Sequence, residues 1–130
     1  MVAEIEWKYP YRYTEMAKEY CVSLEISIDE FETIYGEEIE LIDVRERWEY
    51  AAGHVPGAIN IPLSELANHL DAIPSSRHYV ICASGGRSLH AVEALRSASY
   101  DSISVAGGTL AWVDRGNEIV VEEELALTSR

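Results

Sequence analysis

Residues 78–95 read His78-Tyr79-Val80-Ile81-Cys82-Ala83-Ser84-Gly85-Gly86-Arg87-Ser88, followed by Leu89-His90-Ala91-Val92-Glu93-Ala94-Leu95. The first residues form the apolar run of a buried strand, the glycines favour a tight loop, and the last residues are good helix formers. The stretch therefore predicts a strand, a loop and a helix. Cys82 stands where the strand ends and Arg87 follows five positions later, so a thiol, a glycine-rich loop and a cation come together.

The rest of the chain repeats this alternation of short apolar strands and helices. We predict strands over residues 22–26, 39–44, 58–61, 79–81 and 102–105, and helices over 28–35, 47–52, 64–72, 87–98 and 109–114. Ser27 and Glu30 have the spacing of a capping box, and Ser64 is predicted to cap the third helix. Residues 118–124 predict a final edge strand or an ordered tail. The pattern favours an α/β fold whose parallel sheet is covered by helices on both faces.

The length of 130 residues fits a single domain, which we assign to residues 22–121, followed by a C-terminal tail over 122–130. Residues 1–21 form an N-terminal extension rich in aromatic side chains, namely Trp7, Tyr9, Tyr11, Tyr13 and Tyr20. We expect it to pack on the domain, with a lid or a dimer contact as alternatives, and the protein to be a monomer or a homodimer. The acidic first residues lack the apolar region of a signal peptide, so we expect a cytoplasmic protein.

The charge and the few metal-binding side chains exclude several classes of function. A formal net charge of −13 argues against nucleic acid or an anionic membrane as partner. Two cysteines, Cys21 and Cys82, make no disulfide framework, and the four histidines lack the spacing of metal ligands. No acid lies between Asp71 and Glu93, so the Cys82 loop occupies a locally basic part of an acidic chain. We therefore expect no metal.

The loop has the means to stabilise a thiolate, which is the nucleophilic form of cysteine. The helix that begins near Arg87 or Ser88 points free amides back toward Cys82, and Gly85 and Gly86 let successive N–H groups converge on an anion. Arg87 adds a fixed charge, and both influences lower the pKa of a cysteine. The alternative is a buried, inert cysteine before a glycine turn.

Four blocks of sequence resemble those of the rhodanese-like domain family of sulfurtransferases. The first is Leu41-Ile42-Asp43-Val44-Arg45-Glu46, and the second runs from Glu49 to Pro62 and contains Gly53-His54-Val55-Pro56-Gly57-Ala58. The third is Cys82-Ala83-Ser84-Gly85-Gly86-Arg87-Ser88, similar to the C-x-x-G-x-R-S active-site loop, and the fourth is Val105-Ala106-Gly107-Gly108-Thr109-Leu110-Ala111-Trp112. The blocks occur in the family's order, and the wider similarity extends over residues 23–120.

The resemblance implies a small α/β domain with a five-stranded, mostly parallel sheet, and it implies sulfur transfer in two steps. Cys82 would take the outer sulfur from thiosulfate or a persulfide and pass it to cyanide, a thiol or a protein cysteine. The loop residues would hold the transferred sulfur: Ala83, Ser84, Gly85, Gly86, Arg87 and Ser88. The family needs no metal or organic cofactor. Because the protein is acidic, we expect thiosulfate to be a poorer donor than a persulfide carrier.

Other signature residues have supporting roles in this interpretation. Arg45 is a candidate substrate contact, with an ion pair to a nearby acid as the alternative. Asp43 or Glu49 is expected to orient Arg87 through charge-assisted hydrogen bonds. His54 is expected to satisfy local backbone groups, with a direct catalytic role as the alternative. Cys21 is either a buried thiol or a partner for an oxidised Cys82.

Two other functions are compatible with parts of this pattern. Phosphatases and arsenate reductases of the Cys-x5-Arg type hold five residues between cysteine and arginine, whereas four separate Cys82 from Arg87 here. The shorter loop suits a single sulfur atom better than a tetrahedral oxyanion. Rhodanese-like domains that serve as non-catalytic interaction modules commonly lack the cysteine, which this chain has.

Overall fold

The computed structural model describes residues 23–122, and within them one five-stranded sheet carries the fold. The strands are β1 (Glu25–Ile26), β2 (Leu41–Asp43), β3 (Ile59–Asn60), β4 (His78–Ile81) and β5 (Ser102–Val105). Their order across the sheet is β1-β5-β4-β2-β3, and every pairing is parallel. The predicted α/β class and the five-stranded sheet are thus confirmed, and the described sheet is entirely parallel.

Helices connect the strands, as the alternating pattern predicts. They are α1 (Ile28–Ile34), α2 (Arg47–Ala52), α3 (Gly86–Ser97) and α4 (Gly108–Asp114), together with a 3₁₀ segment over Leu63–Ala72. The capping box of Ser27 and Glu30 is present at the start of α1. Within residues 23–122, no helix has the length and the apolar character that a membrane span requires.

Two clusters of apolar side chains cover the two faces of the sheet. Alternate strand residues point to opposite faces, so Val80 joins one cluster and its neighbour Ile81 joins the other. The first cluster packs Val80 and Cys82 against helix α3 and the 3₁₀ segment, and the second packs Phe31 of α1 against Trp112 of α4. Both faces are therefore buried, which explains the continuous apolar runs of β2 and β4.

Some predicted boundaries need correction, and other predictions fall on residues that the structure does not describe. The helix expected after Ser64 begins at Leu63, follows Pro62 without a side-chain cap, and is a 3₁₀ segment interrupted at His69. Residues 118–124 are expected to form an edge strand or an ordered tail, and the described part, 118–122, forms no strand but a single antiparallel bridge between Val120 and His54. The first strand begins at Glu25, because the described residues 23 and 24 of the predicted range 22–26 are not part of it. The predicted aromatic extension and the end of the tail lie outside the described residues.

The parallel arrangement brings the functional loop to one edge of the sheet. All strands end at the same edge, and β4 lies between β5 and β2. Cys82 follows β4, Val44 and Arg45 follow β2, and Gly107 and Gly108 follow β5 by a short turn. Ligand sites of open α/β sheets lie at this edge.

Candidate active site

The Cys82 loop joins the end of β4 to the first turn of α3. Gly85 precedes the helix with a φ of 112°, in the left-handed region that glycine adopts without a side-chain clash. Gly86 then begins the helix, one residue before the start that the sequence predicts. This turn directs the backbone amides of the loop and of the helix start toward the cysteine.

Three donors or acceptors surround the sulfur of Cys82. The amides of Gly85 and Ser88 lie 3.1 and 3.3 Å from Sγ, and the hydroxyl oxygen of Ser88 lies 3.4 Å from it. The residue is only 1% exposed. Together these groups form a pocket of oriented dipoles around one buried sulfur atom.

The net effect of this pocket is a lowered pKa of the Cys82 thiol. Burial acts most strongly and raises the pKa, because it penalises the charged form. The Ser88 hydroxyl and the amides of Ser88, Gly85 and Ser84 oppose it, and their combined effect prevails. The thiolate is therefore favoured by hydrogen bonds to the charged form, which is the condition that cysteine nucleophiles require.

Arg87 is held beside the loop by a bidentate ion pair with Glu49 of α2. Its Nη1 lies 2.8 Å from Oε1 and its Nη2 lies 3.0 Å from Oε2. The hydrogen bond from Arg87 is the largest influence on Glu49 and lowers the pKa of that carboxyl group. Of the two acids expected to orient Arg87, Glu49 therefore makes the contact.

Asp43 instead pairs with Arg45, which changes the interpretation of both residues. The Arg45 Nε and Nη2 atoms lie 3.0 and 2.8 Å from the carboxylate oxygens of Asp43, and Nη2 also donates to the carbonyl of Gly53 at 2.8 Å. Arg45 is 7% exposed and Asp43 is fully buried. This is the ion pair considered as the alternative, and it removes Arg45 from the substrate contacts that we propose below.

His54 has the surroundings of a structural residue. Its Nδ1 lies 2.8 Å from the carbonyl of Tyr50, its ring stacks on the Tyr50 ring, and its backbone pairs with Val120. The residue is 4% exposed. These contacts support the expected role in satisfying local backbone groups.

Helix α4, which follows the neighbouring strand β5, donates backbone hydrogen bonds to the loop. The amide of Thr109 donates to the carbonyl of Cys82 at 2.8 Å, and the amide of Leu110 donates to the carbonyl of Ala83 at 3.0 Å. A Cβ atom at Gly108 would lie 2.4 Å from the Cys82 oxygen. The fourth signature block thus contacts the third, a relation that its sequence alone does not show.

Ser104 of β5 is a further contact that the sequence analysis missed. Its hydroxyl lies 2.8 Å from that of Ser88, and both residues are fully buried. Ser102 and Ser104 alternate with Ile103 and Val105 along β5, and this local pattern does not show which serine contacts the loop. Only the pairing of β5 with β4 brings it beneath the loop.

The donors around the sulfur suit an anion rather than a metal ion. The amides of Gly85 and Ser88 point their positive ends toward Cys82, and the Ser88 hydroxyl can donate to the sulfur once the thiol is ionised. Among residues 23–122, no three histidine, cysteine, aspartate or glutamate side chains come together as a metal site would require. Chemically, the arrangement can stabilise a thiolate and a second soft anion attached to it.

Comparisons with known proteins agree with this geometry. The chain is 35% identical over 89 residues to a sulfurtransferase of Allochromatium vinosum, covering 67% of this chain and 83% of that protein. It is 36% identical over 91 residues to the human thiosulfate:glutathione sulfurtransferase, with 58% and 79% covered. The solved structure of a rhodanese-related protein from Thermoplasma volcanium matches with a TM-score of 0.70 at 33% identity, covering 77% of this chain and all of that one.

Several other relatives are longer proteins, of which the chain spans 19% to 27%. What those whole proteins do therefore does not transfer to this chain. A family model described as the rhodanese-like domain matches residues 27–115, which is more than half of the sequence. The chain belongs to the rhodanese-like domain family.

Proposed function

We propose that this protein is a sulfurtransferase that carries sulfane sulfur on Cys82. The observation that supports this most directly is the buried sulfur atom with the amides of Gly85 and Ser88 and the Ser88 hydroxyl around it. Relatives named sulfurtransferases, at 35 to 36% identity, support the same class of reaction.

The first step transfers sulfur from the donor to the enzyme. The Cys82 thiolate attacks the outer sulfur of thiosulfate or of a persulfide, a new S–S bond forms, and the bond inside the donor breaks. Its electron pair leaves with sulfite or with the donor thiolate. Cys82 then carries a terminal sulfur anion, which the loop amides from Ala83 to Ser88 stabilise.

The second step returns the enzyme to its starting state. A nucleophilic acceptor, such as cyanide, a low-molecular-weight thiol or a protein cysteine, attacks the terminal sulfur. The S–S bond breaks, the electron pair stays on Cys82, and the thiolate is restored. The lowered pKa of Cys82 assists this step, because a thiolate of lower pKa is a better leaving group.

Charge favours a persulfide over thiosulfate as the donor. The protein carries a net charge of −13, and the cation nearest the loop, Arg87, is paired with Glu49. A dianion therefore gains little from Arg87, and at low ionic strength it is also repelled by the protein as a whole. The compartment we propose is the cytoplasm, because a reducing environment keeps Cys82 available as a thiol.

The proposal is tested by incubating the protein with thiosulfate or cysteine persulfide, which carries less negative charge, and measuring the mass of the peptide that contains Cys82. We expect this peptide to gain the mass of one sulfur atom, and the persulfide to load it faster than thiosulfate. Cys82→Ser serves as the control and should gain nothing. Absence of the adduct with every donor would favour the non-catalytic interaction module.

The same protein can also be assayed for phosphatase activity, which belongs to the rival Cys-x5-Arg class of enzymes. Four residues separate Cys82 from Arg87, and the amides of Gly85 and Ser88 point at the sulfur atom itself, at 3.1 and 3.3 Å. We expect no Cys82-dependent hydrolysis of an aryl phosphate. Turnover that disappears in Cys82→Ser would contradict the sulfurtransferase proposal.

A further inference from the structure

Two buried hydroxyl groups lie in a row beneath the sulfur of Cys82. Ser104 Oγ, on β5, lies 2.8 Å from Ser88 Oγ, and Ser88 Oγ lies 3.4 Å from Cys82 Sγ. Both serines are 0% exposed. The row therefore joins the centre of the sheet to the nucleophile without access to bulk water.

The Ser88 hydroxyl has one proton and three neighbours that could accept it. These are the sulfur of Cys82, the hydroxyl oxygen of Ser104, and the carbonyl of Gly85 at 3.2 Å. The Gly85 carbonyl also accepts the amide of Leu89 at 3.1 Å, so it keeps a partner when Ser88 turns away. Once Cys82 is ionised, its sulfur can only accept, and the Ser88 proton is required there.

We propose that Ser104 is a positioning residue for the sulfur anion of Cys82: its hydroxyl donates to Ser88 Oγ and thereby directs the Ser88 proton to the sulfur. If Ser88 donated to Ser104 instead, the anion would lose this hydroxyl donor and the buried proton of Ser104 would need another acceptor. Donation by Ser104 also polarises the Ser88 hydroxyl and makes it a stronger donor, because hydrogen bonds in a chain reinforce one another.

The inference rests on the proposed function only for what the thiolate does, which is to attack the sulfur of a donor. Ser104 acts through Ser88, so it belongs to neither the nucleophile nor the donors that contact the sulfur. Its effect is therefore expected in the ionisation of Cys82, which can be measured in the absence of any sulfur donor.

The experiment follows alkylation of Cys82 by iodoacetamide as a function of pH, with the modified peptide quantified by mass spectrometry. This readout separates Cys82 from Cys21. In Ser104→Ala, we expect the midpoint of the alkylation profile to rise by about half a pH unit, which corresponds to a rate about threefold lower below the midpoint. The plateau at high pH should be unchanged, because a full thiolate reacts equally well in both proteins.

Two further variants serve as controls for Ser104→Ala. Ser104→Thr keeps the hydroxyl and should restore the wild-type midpoint. Ser102→Ala removes an equally buried hydroxyl from the same face of β5, where it contacts His78 Nε2 rather than Ser88. It should lower the midpoint temperature of unfolding and leave the alkylation profile unchanged.

An unchanged midpoint in Ser104→Ala would overturn the inference, as would an equal shift in Ser102→Ala or in Ser104→Thr. The proposed function fails by a different result, namely no sulfur adduct on wild-type Cys82 with any donor. A shifted midpoint in a protein that takes up no sulfur would therefore leave the role of Ser104 intact and refute sulfur transfer.

Discussion

At the scale of single residues, the charge beside Cys82 is set by a pair rather than by Arg87 alone. The Arg87 side chain is 38% exposed and that of Glu49 is 18% exposed, and two hydrogen bonds join them. The carboxylate offsets most of the positive field that Arg87 would otherwise exert on an approaching anion. Glu49 thus orients the guanidinium of Arg87, but its negative charge weakens the attraction of Arg87 for a dianionic donor.

Replacing Glu49 by Gln should therefore improve the binding of thiosulfate. Gln keeps an oxygen for the Glu46 amide, which Glu49 accepts at 2.8 Å, but removes the negative charge. We expect the KM for thiosulfate to fall about threefold, since a like charge near the site is removed from a partly screened environment. Steady-state kinetics at constant ionic strength provide the measurement.

The exposed pair of Arg47 and Glu65 supplies the control for that experiment. Glu65→Gln changes the net charge by the same amount, but its partner lies on the surface with 62% of its side chain exposed. Its KM should stay at the wild-type value. A higher KM for thiosulfate in Glu49→Gln would contradict the prediction. It would show that thiosulfate binding depends more on the orientation of Arg87 than on the net charge of the pair.

At the scale of elements, the Cys82 loop depends on how closely α4 approaches it. Gly108 has a φ of 60°, and an added Cβ would meet the carbonyl oxygens of Cys82 and Ala83 at 2.4 and 2.6 Å. The following amides, of Thr109 and Leu110, donate to those same two carbonyls. A side chain at position 108 would therefore push the start of α4 away from the Cys82 loop and weaken these two hydrogen bonds.

We expect Gly108→Ala to lower the free energy of unfolding by roughly 2–4 kcal/mol, because backbone strain and a steric clash act together. Gly116→Ala is the matched control: its φ is 85°, yet no atom lies within 4 Å of the added Cβ. Strain alone should cost it about 1 kcal/mol. Urea denaturation measures the free energy of unfolding of both variants. An equal decrease in the two would argue against the close approach of α4 to the loop.

At the scale of the whole molecule, the acidic surface should govern the encounter with charged donors. The net charge of −13 repels a dianion over a distance that shrinks as salt is added. The screening length falls from about 30 Å at 0.01 M ionic strength to about 8 Å at 0.15 M. Long-range repulsion is thus largely removed at physiological salt.

Raising the ionic strength over that interval should lower the KM for thiosulfate by about two- to fivefold. The kcat should change little, since the chemical step takes place at Cys82, which is buried and therefore little affected by salt in the solvent. Matched series in NaCl and KCl separate screening from specific ion effects. A KM that rises with salt would mean that local attraction by Arg87 outweighs the field of the whole protein.

Local pattern was sufficient to predict the loop, the capping box and the class of fold. The strand, the two glycines and the helix of residues 78–95 are neighbours along the chain, and Ser27 and Glu30 lie within one helical turn, so their contacts depend on local geometry alone. The incorrect cap at Ser64 shows the limit of this reasoning. Its segment begins at Leu63 as a 3₁₀ turn after Pro62, where packing against the core outweighs capping preference.

The sequence by itself determined that Cys82 would stand at the end of a strand, beneath the amides of a helix start, because all of those parts are contiguous. Only the tertiary structure decided which distant residues complete the site. Glu49 rather than Asp43 pairs with Arg87, the Thr109 amide donates to the carbonyl of Cys82, and Ser104 lies against Ser88. Each of these contacts depends on the order of the strands and on their register, which place side chains far apart in sequence at one edge of the sheet.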